Sequence, residues 1–370
     1  MKNKLLLAAS LLLLVAHASA QLTTAPEGGN RKAMVSENIG ITNVTIEYSR
    51  PGVKGREGKI WGGLIHKGFA DLGFGTSKNA PWRAGANENT VIEFTTPVMV
   101  EGKSVPAGKY GLFVAYDPDA SIVILSKNHT SWGSFFYDDK EDAVRVTVKP
   151  VPLDKSVEWL KYEFLNETDS SATVVLEWEK LSIPIRLETD HVNLQLASFR
   201  NELRSEKSFN VGWQTWNQAA IYCVLNNVNL EEALTWSDHA ISDQFVGQKN
   251  FNTLSTKAQI LSRLNRQAES DAVMKEALPL GSANQVHNYA RQLLQQKKGQ
   301  AAFDAFKLNY DKNPNTFTTN VGMMRGYSAM SNYKKALEYA QKALPQAQDK
   351  VNKDNVERMI KLLQEGKDVN

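Results

Sequence analysis

Residues 183–194 read Ile183-Pro184-Ile185-Arg186-Leu187-Glu188-Thr189-Asp190-His191-Val192-Asn193-Leu194, and the period of the chain changes inside them. Ile183, Ile185 and Leu187 alternate with polar residues, as one buried face of a strand requires. Beyond His191 the alternation stops, and a helical pattern with a repeat of roughly 34 residues takes over. A seam near residue 191 therefore divides the chain into a β-rich first half and a helical second half.

Working back from the seam, the same alternation recurs at Val44/Ile46/Tyr48, Tyr110/Leu112/Val114, Val144/Val146/Val148 and Val174/Leu176/Trp178. Val91–Phe94, Ile122–Leu125 and Val157–Phe164 add three more runs. Turn signals such as Glu101-Gly102-Lys103, Pro106-Ala107-Gly108 and Asp117-Pro118-Asp119 separate them. Many short strands without intervening helical pattern predict an antiparallel sandwich or barrel over residues 31–190. Ahead of it, residues 21–30 form a polar leader. Residues 1–20 read as a secretory signal: Lys2 and Lys4, an apolar run from Leu5 to Val15, and a small-x-small site at Ala18-Ser19-Ala20. The expected location is the periplasm or the medium, with no membrane span.

Working forward, Ala233, Ala268, Ala302 and Ala336 mark the repeat, each just after a polar turn. Small residues at one helical position suit helices that cross closely, so residues 191–370 are expected to form a tetratricopeptide-like array of about four units. Val351–Gly366 reads as a closing helix. Asn217, Asn252, Asn288 and Asn320 also recur, and read either as helix caps or as the lining of a groove. Arrays of this kind bind a protein or peptide.

Charge excludes little. The whole chain carries +3; residues 191–370 hold 22 basic and 17 acidic residues, and residues 21–190 hold 19 and 23. Neither half carries the strong basic charge of a dedicated nucleic-acid binder, and export argues further against one. Cys223 is the lone cysteine, so no internal disulfide forms, and its apolar helical surroundings predict a buried, inert thiol.

Residues 49–90 interrupt the strands with a long glycine-rich loop that ends in Pro81-Trp82-Arg83-Ala84-Gly85-Ala86-Asn87-Glu88-Asn89-Thr90. This segment, Tyr48-Ser49-Arg50-Pro51, Lys54-Gly55-Arg56, Pro106-Ala107-Gly108-Lys109-Tyr110-Gly111-Leu112-Phe113, Trp132-Gly133 and Asp142-Ala143-Val144-Arg145-Val146 resemble an exported bacterial family, domain of unknown function 2911. The resemblance spans about residues 31–188 and implies an exported domain with no assigned reaction. Members of that family run almost directly from the Gly-Gly-Leu segment to Trp-Arg, so Gly68–Ala80 reads here as an insertion.

The candidate ligand residues are Trp82, Arg83, Asn87, Glu88, Trp132 and Tyr137. A guanidinium fork, an amide and a carboxylate complement a polar ligand such as a sugar. Trp132, Phe135, Phe136 and Tyr137, followed by Asp138-Asp139-Lys140-Glu141-Asp142, suit carbohydrate stacking. The competing structural readings are an Arg83–Glu88 ion pair with Asn87 in a turn, and aromatics that plug the sandwich. Both are preferred to ligand roles. No Gly-x-Ser-x-Gly, His-Glu-x-x-His or phosphate-loop motif occurs, and His66, His129, His191, His239 and His287 lack metal-ligand spacing. No cofactor or metal is expected. A non-enzymatic binding or scaffold protein is the leading expectation, with a glycan or envelope component as partner of the β domain. The alternative is an envelope carbohydrate-active hydrolase or lyase with its site at Trp82–Glu88, where Glu88 and Asp142 would be the carboxylates.

Overall fold

The computed structural model describes residues 29–370. The signal at residues 1–20 and nearly all of the leader lie outside the described residues. The chain divides into two compact units between Ala197 and Ser198.

The first unit contains two antiparallel sheets. The larger pairs β1 (Arg31–Ile39), β2 (Thr42–Arg50), β3 (Thr90–Phe94), β6 (Gly108–Ala115), β7 (Ser121–Ser126) and β8 (Asp142–Val148) in the order β1-β2-β3-β6-β7-β8. The smaller pairs β4 (Val98–Val100), β5 (Lys103–Val105), β9 (Val151–Leu165) and β10 (Ser171–Glu188) in the order β5-β4-β10-β9. Neither sheet closes on itself, so of the two expected architectures the barrel is excluded. The alternating residues Val44, Ile46, Leu112, Val114, Val144 and Val146 of one sheet share one core with Leu160, Tyr162, Leu176, Trp178, Ile183 and Leu187 of the other. Each strand thus buries its period-two face between the sheets.

One expectation needs correction. Val174–Trp178 and Ile183–Leu187 belong to one strand rather than two. Their registers are separated by a bulge at Glu179, which adopts φ +52 and accepts the Gly58 N–H at 2.6 Å through its carboxylate. Strand β1, which shows no clear alternation in the sequence, pairs with β2 along its whole length.

The second unit is helical. The end of α1 (His191–Glu202) docks through Phe199, edge-on to Tyr222 and Trp236, and through a forked Arg200–Glu232 pair at 2.9 and 2.7 Å. Four helical hairpins follow: α2 (Trp213–Asn226) with α3 (Leu230–Ser242), α4 (Phe251–Arg263) with α5 (Gln267–Ala277), α6 (Ala283–Gln295) with α7 (Gly299–Lys312), and α8 (Phe317–Ala329) with α9 (Tyr333–Ala343). Helix α10 (Lys350–Gln364) closes the unit against α9.

The punctuation is periodic. Asn250, Ser282, Thr316 and Asp349 cap the first helices α4, α6, α8 and α10 through their side chains, the first three in reciprocal capping boxes. Asn265, Lys297 and Ser331 take left-handed φ values of +61, +59 and +58 in the hairpin turns. The four asparagines read from the sequence are therefore not the caps. They sit at unequal offsets from the true caps, and Asn320 is buried while Asn252 and Asn288 are exposed.

The alanine ladder also shifts. Ala233, Ala302 and Ala336 each lie four residues after a helix cap and are fully buried, but Ala268 is exposed. Its structural place is taken by Ser270, four residues after Arg266, whose hydroxyl donates to the Ala258 carbonyl at 2.7 Å. The spacings are therefore 37, 32 and 34 rather than regular.

Candidate functional site

Within the β unit, Trp82-Arg83-Ala84-Gly85-Ala86-Asn87-Glu88 forms a tight knot rather than an open loop. Trp82 bridges Val114 through both backbone groups, at 2.9 and 2.8 Å, and donates from its indole to the Gly85 carbonyl at 3.0 Å. Its ring lies in the core, stacked on Trp178 and edge-on to Trp61. Ala84 takes φ +51, and its carbonyl accepts from the Tyr162 hydroxyl at 2.7 Å and from Thr90 at 3.1 Å. A side chain at Gly85 would meet Thr90 Oγ1 at 2.6 Å. The motif is packed this way because its backbone is the acceptor for a buried tyrosine.

Arg83 and Glu88, expected as a pair, part company. Glu88 binds Lys32 at 3.1 Å and accepts from Ser49 at 3.4 Å. Its own backbone N–H, followed by the Lys32 ammonium, holds its carboxyl below the ordinary range. Among the described residues Arg83 has no ion pair, and it lies over the Trp132 ring, 5.4 Å from its centroid. Its Nε is buried without a hydrogen-bond partner, and burial lowers its pKa. Asn87 takes φ +59 and lends its carbonyl to the Gly133 N–H at 3.0 Å, joining the two motifs.

The aromatics at 132–137 do not plug the sandwich. Trp132 is 57% exposed and stacks on Phe135. Residues 68–80 close over this surface: Phe74 packs edge-on to Phe135 and Phe136, and Ser77 donates to the Phe135 carbonyl at 2.9 Å. Gly75 makes that approach feasible, since at φ +78 a side chain there would stand 2.3 Å from the same carbonyl.

Tyr137 faces a separate pocket of about 500 Å³, walled by Phe69, Thr76–Asn79, Asp138, Asp139 and Arg145. Its hydroxyl donates to Asp142 at 2.8 Å and accepts from Arg145 at 2.8 Å. Burial, then the Asp142 carboxylate, pushes the Tyr137 pKa up, and burial also raises that of Asp142. Glu88 and Asp142 therefore serve different hydrogen-bond networks. Among the described residues no group of three histidine, cysteine or carboxylate side chains is placed to hold a metal, and no helix is long and apolar enough to cross a membrane.

The larger cavity, about 770 Å³, lies in the helical unit between the second and third hairpins. These two hairpins meet around Phe251, Met274 and Val286, and Gln285 donates across the junction to the Asn252 amide oxygen at 2.8 Å. Asn288, Gln292 and Gln296 stand one helical turn apart along α6 and its C-cap, and Gln259 faces them from α4. None of these four amides has a hydrogen-bond partner within the described residues, while Met274, Tyr289 and Leu293 form an apolar wall beneath them. Charges balance at the rim, with Asp271 and Asp304 against Lys275 and Lys298. The sequence pointed to Asn288 alone. Ser270, which marks the irregular step of the ladder, is among the residues lining the cleft.

An open antiparallel sandwich carrying a knotted Trp-Arg motif, followed by stacked helical hairpins, is thus a modular architecture. Residues 30–187 match the family model described as Protein of unknown function (DUF2911), in agreement with the resemblance read over residues 31–188. Among solved structures the chain is similar to "MamA 41-end from Desulfovibrio magneticus RS-1", at 15% identity and a TM-score of 0.27, covering 41% of this chain and 93% of that one. It is also similar to "MamA RS-1 ArsTM double mutant", at 14% identity and a TM-score of 0.28, covering 42% and 93%. No curated protein matches the chain.

Proposed function

We propose that this is an exported, non-enzymatic binding or scaffold protein whose tetratricopeptide-like helical unit holds a protein partner as an extended segment. The cleft between the second and third hairpins carries the proposal. Unpaired side-chain amides are donors and acceptors in one group, as peptide backbone is, so Gln259 on one wall and Asn288, Gln292 and Gln296 on the other complement an extended chain. The apolar wall at Met274, Tyr289 and Leu293 takes the side chains of alternate residues. The β unit acts as the second docking module, for a glycan or envelope component, with Trp132 and the Tyr137 pocket as its exposed features.

The test is photocrosslinking from a benzophenone side chain at Gln292 in the full chain. Labelled extended peptides are offered with and without Gln259→Ala. Crosslinking that is saturable and lost in the variant supports the reading. Turnover of a peptide or glycan by the purified protein, abolished by Glu88→Gln, would overturn it. Export is checked separately by N-terminal sequencing of the protein from the envelope fraction, where a first residue of Gln21 is expected.

A further inference from the structure

The helical unit carries a second feature that the cleft does not use. Arg291, Arg325 and Arg358 lie nine residues after the caps Ser282, Thr316 and Asp349, on α6, α8 and α10. They occupy one position on three successive first helices. These helices lie side by side: Thr318 on α8 donates to Asn284 on α6 at 3.2 Å, and Val321 and Met324 of α8 pack with Val356 and Met359 of α10.

None of the three arginines has an ion pair among the described residues, although this protein forms such pairs freely elsewhere on its helices, as at Arg200–Glu232 and Arg266–Glu269. The middle one, Arg325, is half-buried with its Nε unpartnered, and its remaining contacts are the Val369 carbonyl and the Asn370 amide oxygen, each at 3.3 Å. Asp368, the carboxylate that acts on it, is already engaged by the Ser328 hydroxyl at 2.6 Å. Arg291 and Arg358 both push down the pKa of Arg325, after the larger effect of burial, so the three charges feel one another. A row of like charges held in register without counter-charges costs stability, and an anionic partner relieves that cost.

We propose that this arginine row is a docking surface for an acidic extended segment of a partner protein, one carrying a carboxylate at about every third residue. Packed helices stand about 8–10 Å apart. In a polyproline II conformation three residues complete one turn and span about 9 Å, so carboxylates at every third residue project from one side and meet successive guanidinium forks. The inference rests on the helical unit being a protein-binding module but not on the cleft. A neutral peptide in the cleft would be untouched by the changes tested below.

The test uses the full chain and fluorescein-labelled (Asp-Ser-Gly)5, with (Asn-Ser-Gly)5 as the neutral control, followed by anisotropy at low and moderate salt. The acidic peptide is expected to bind, to weaken as salt rises, and to lose at least tenfold in affinity when Arg291→Gln and Arg358→Gln are combined. These two are exposed, so the fold is expected to survive, checked by circular dichroism. Lys334→Gln with Lys353→Gln removes the same charge elsewhere and is expected to leave binding intact. Absence of binding to the acidic peptide, equal binding of the neutral one, equal losses in the lysine and arginine variants, or tighter binding of a single-stranded oligonucleotide each overturns the proposal.

Discussion

The guanidinium carbon of Arg83 lies 5.4 Å from the ring centroid of Trp132, and this stack, rather than an ion pair with Glu88, anchors the end of the long loop to the 132–137 segment. A partly desolvated contact of this kind stabilises by about 0.5–2 kcal/mol. Arg83→Met keeps the stem and removes the charge, and is expected to lower stability by about 1 kcal/mol, read from the urea midpoint at unchanged slope. Trp132→Leu removes the same contact, so the double variant is expected to lose little more than either single one. Fully additive losses would show that the two side chains act separately.

The Trp-Arg motif is held from below by Tyr162, whose hydroxyl and that of Thr90 both donate to the Ala84 carbonyl. Tyr162→Phe leaves that buried carbonyl with one donor and is expected to cost about 1 kcal/mol. Adding Thr90→Val orphans it, and the combined loss is expected to exceed the sum of the two single losses. Additivity in a double-mutant cycle would show that water or backbone replaces the lost donors.

Legibility followed burial. Strands with a clean period-two face, such as β2, β6 and β8, were readable because burying one face dictates alternation. Strand β1 was not, since it is an edge strand whose Met34 is 63% exposed. β4 and β5 are three residues each, too short to establish a period. The break in β10 turned on Glu179 adopting a left-handed backbone, which its residue type does not announce. Among the site residues, the sequence located the Trp-Arg motif and the 132–137 aromatics but could not distinguish core Trp82 from exposed Trp132. The arginine row follows the same repeat, with spacings of 34 and 33 residues, and was missed because the period was traced through alanines and asparagines alone.

The shifted ladder makes a sharp comparison. Ala302→Leu inserts a side chain into a fully buried position and is expected to destabilise by about 1–3 kcal/mol. Ala268→Leu, which a strictly regular period would place at the same crossing, is exposed and is expected to stay within about 0.5 kcal/mol of the parent. Equal losses at the two sites would restore the regular register.

Cys223 is fully buried, and burial raises its thiol pKa to about 11, with the Glu232 carboxylate adding to it. Native protein is expected to resist a thiol reagent at pH 8 and to react once unfolded. The folded pKa lies above the unfolded one of about 8.5. The associated stability is therefore complete below about pH 8.5 and is lost as pH rises towards 11. Rapid labelling of folded protein at pH 8 would show that α2 opens locally.

His287 gives the opposite limb. Burial chiefly, and then Arg325 and Arg291, lower its pKa to about 4, with its Nδ1 unpartnered beneath the arginine row. Above about pH 6.5 the imidazole is neutral in both folded and unfolded chains, and its contribution is fully present. Between there and pH 4 the unfolded chain takes up a proton that the folded chain refuses, so stability falls by up to about 1.4 kcal/mol per pH unit. Carboxylates titrate in the same range, so the informative quantity is the difference between the parent and His287→Gln, followed by circular dichroism in urea. The parent is expected to lose about 3 kcal/mol more than the variant between pH 7 and pH 4. Parallel curves would mean that the folded state accepts the proton, which would place water or a carboxylate against the imidazole. An acidic peptide seated on the arginines would raise the His287 pKa by offsetting the charges that now repel its proton, so the same titration repeated with saturating peptide is expected to flatten.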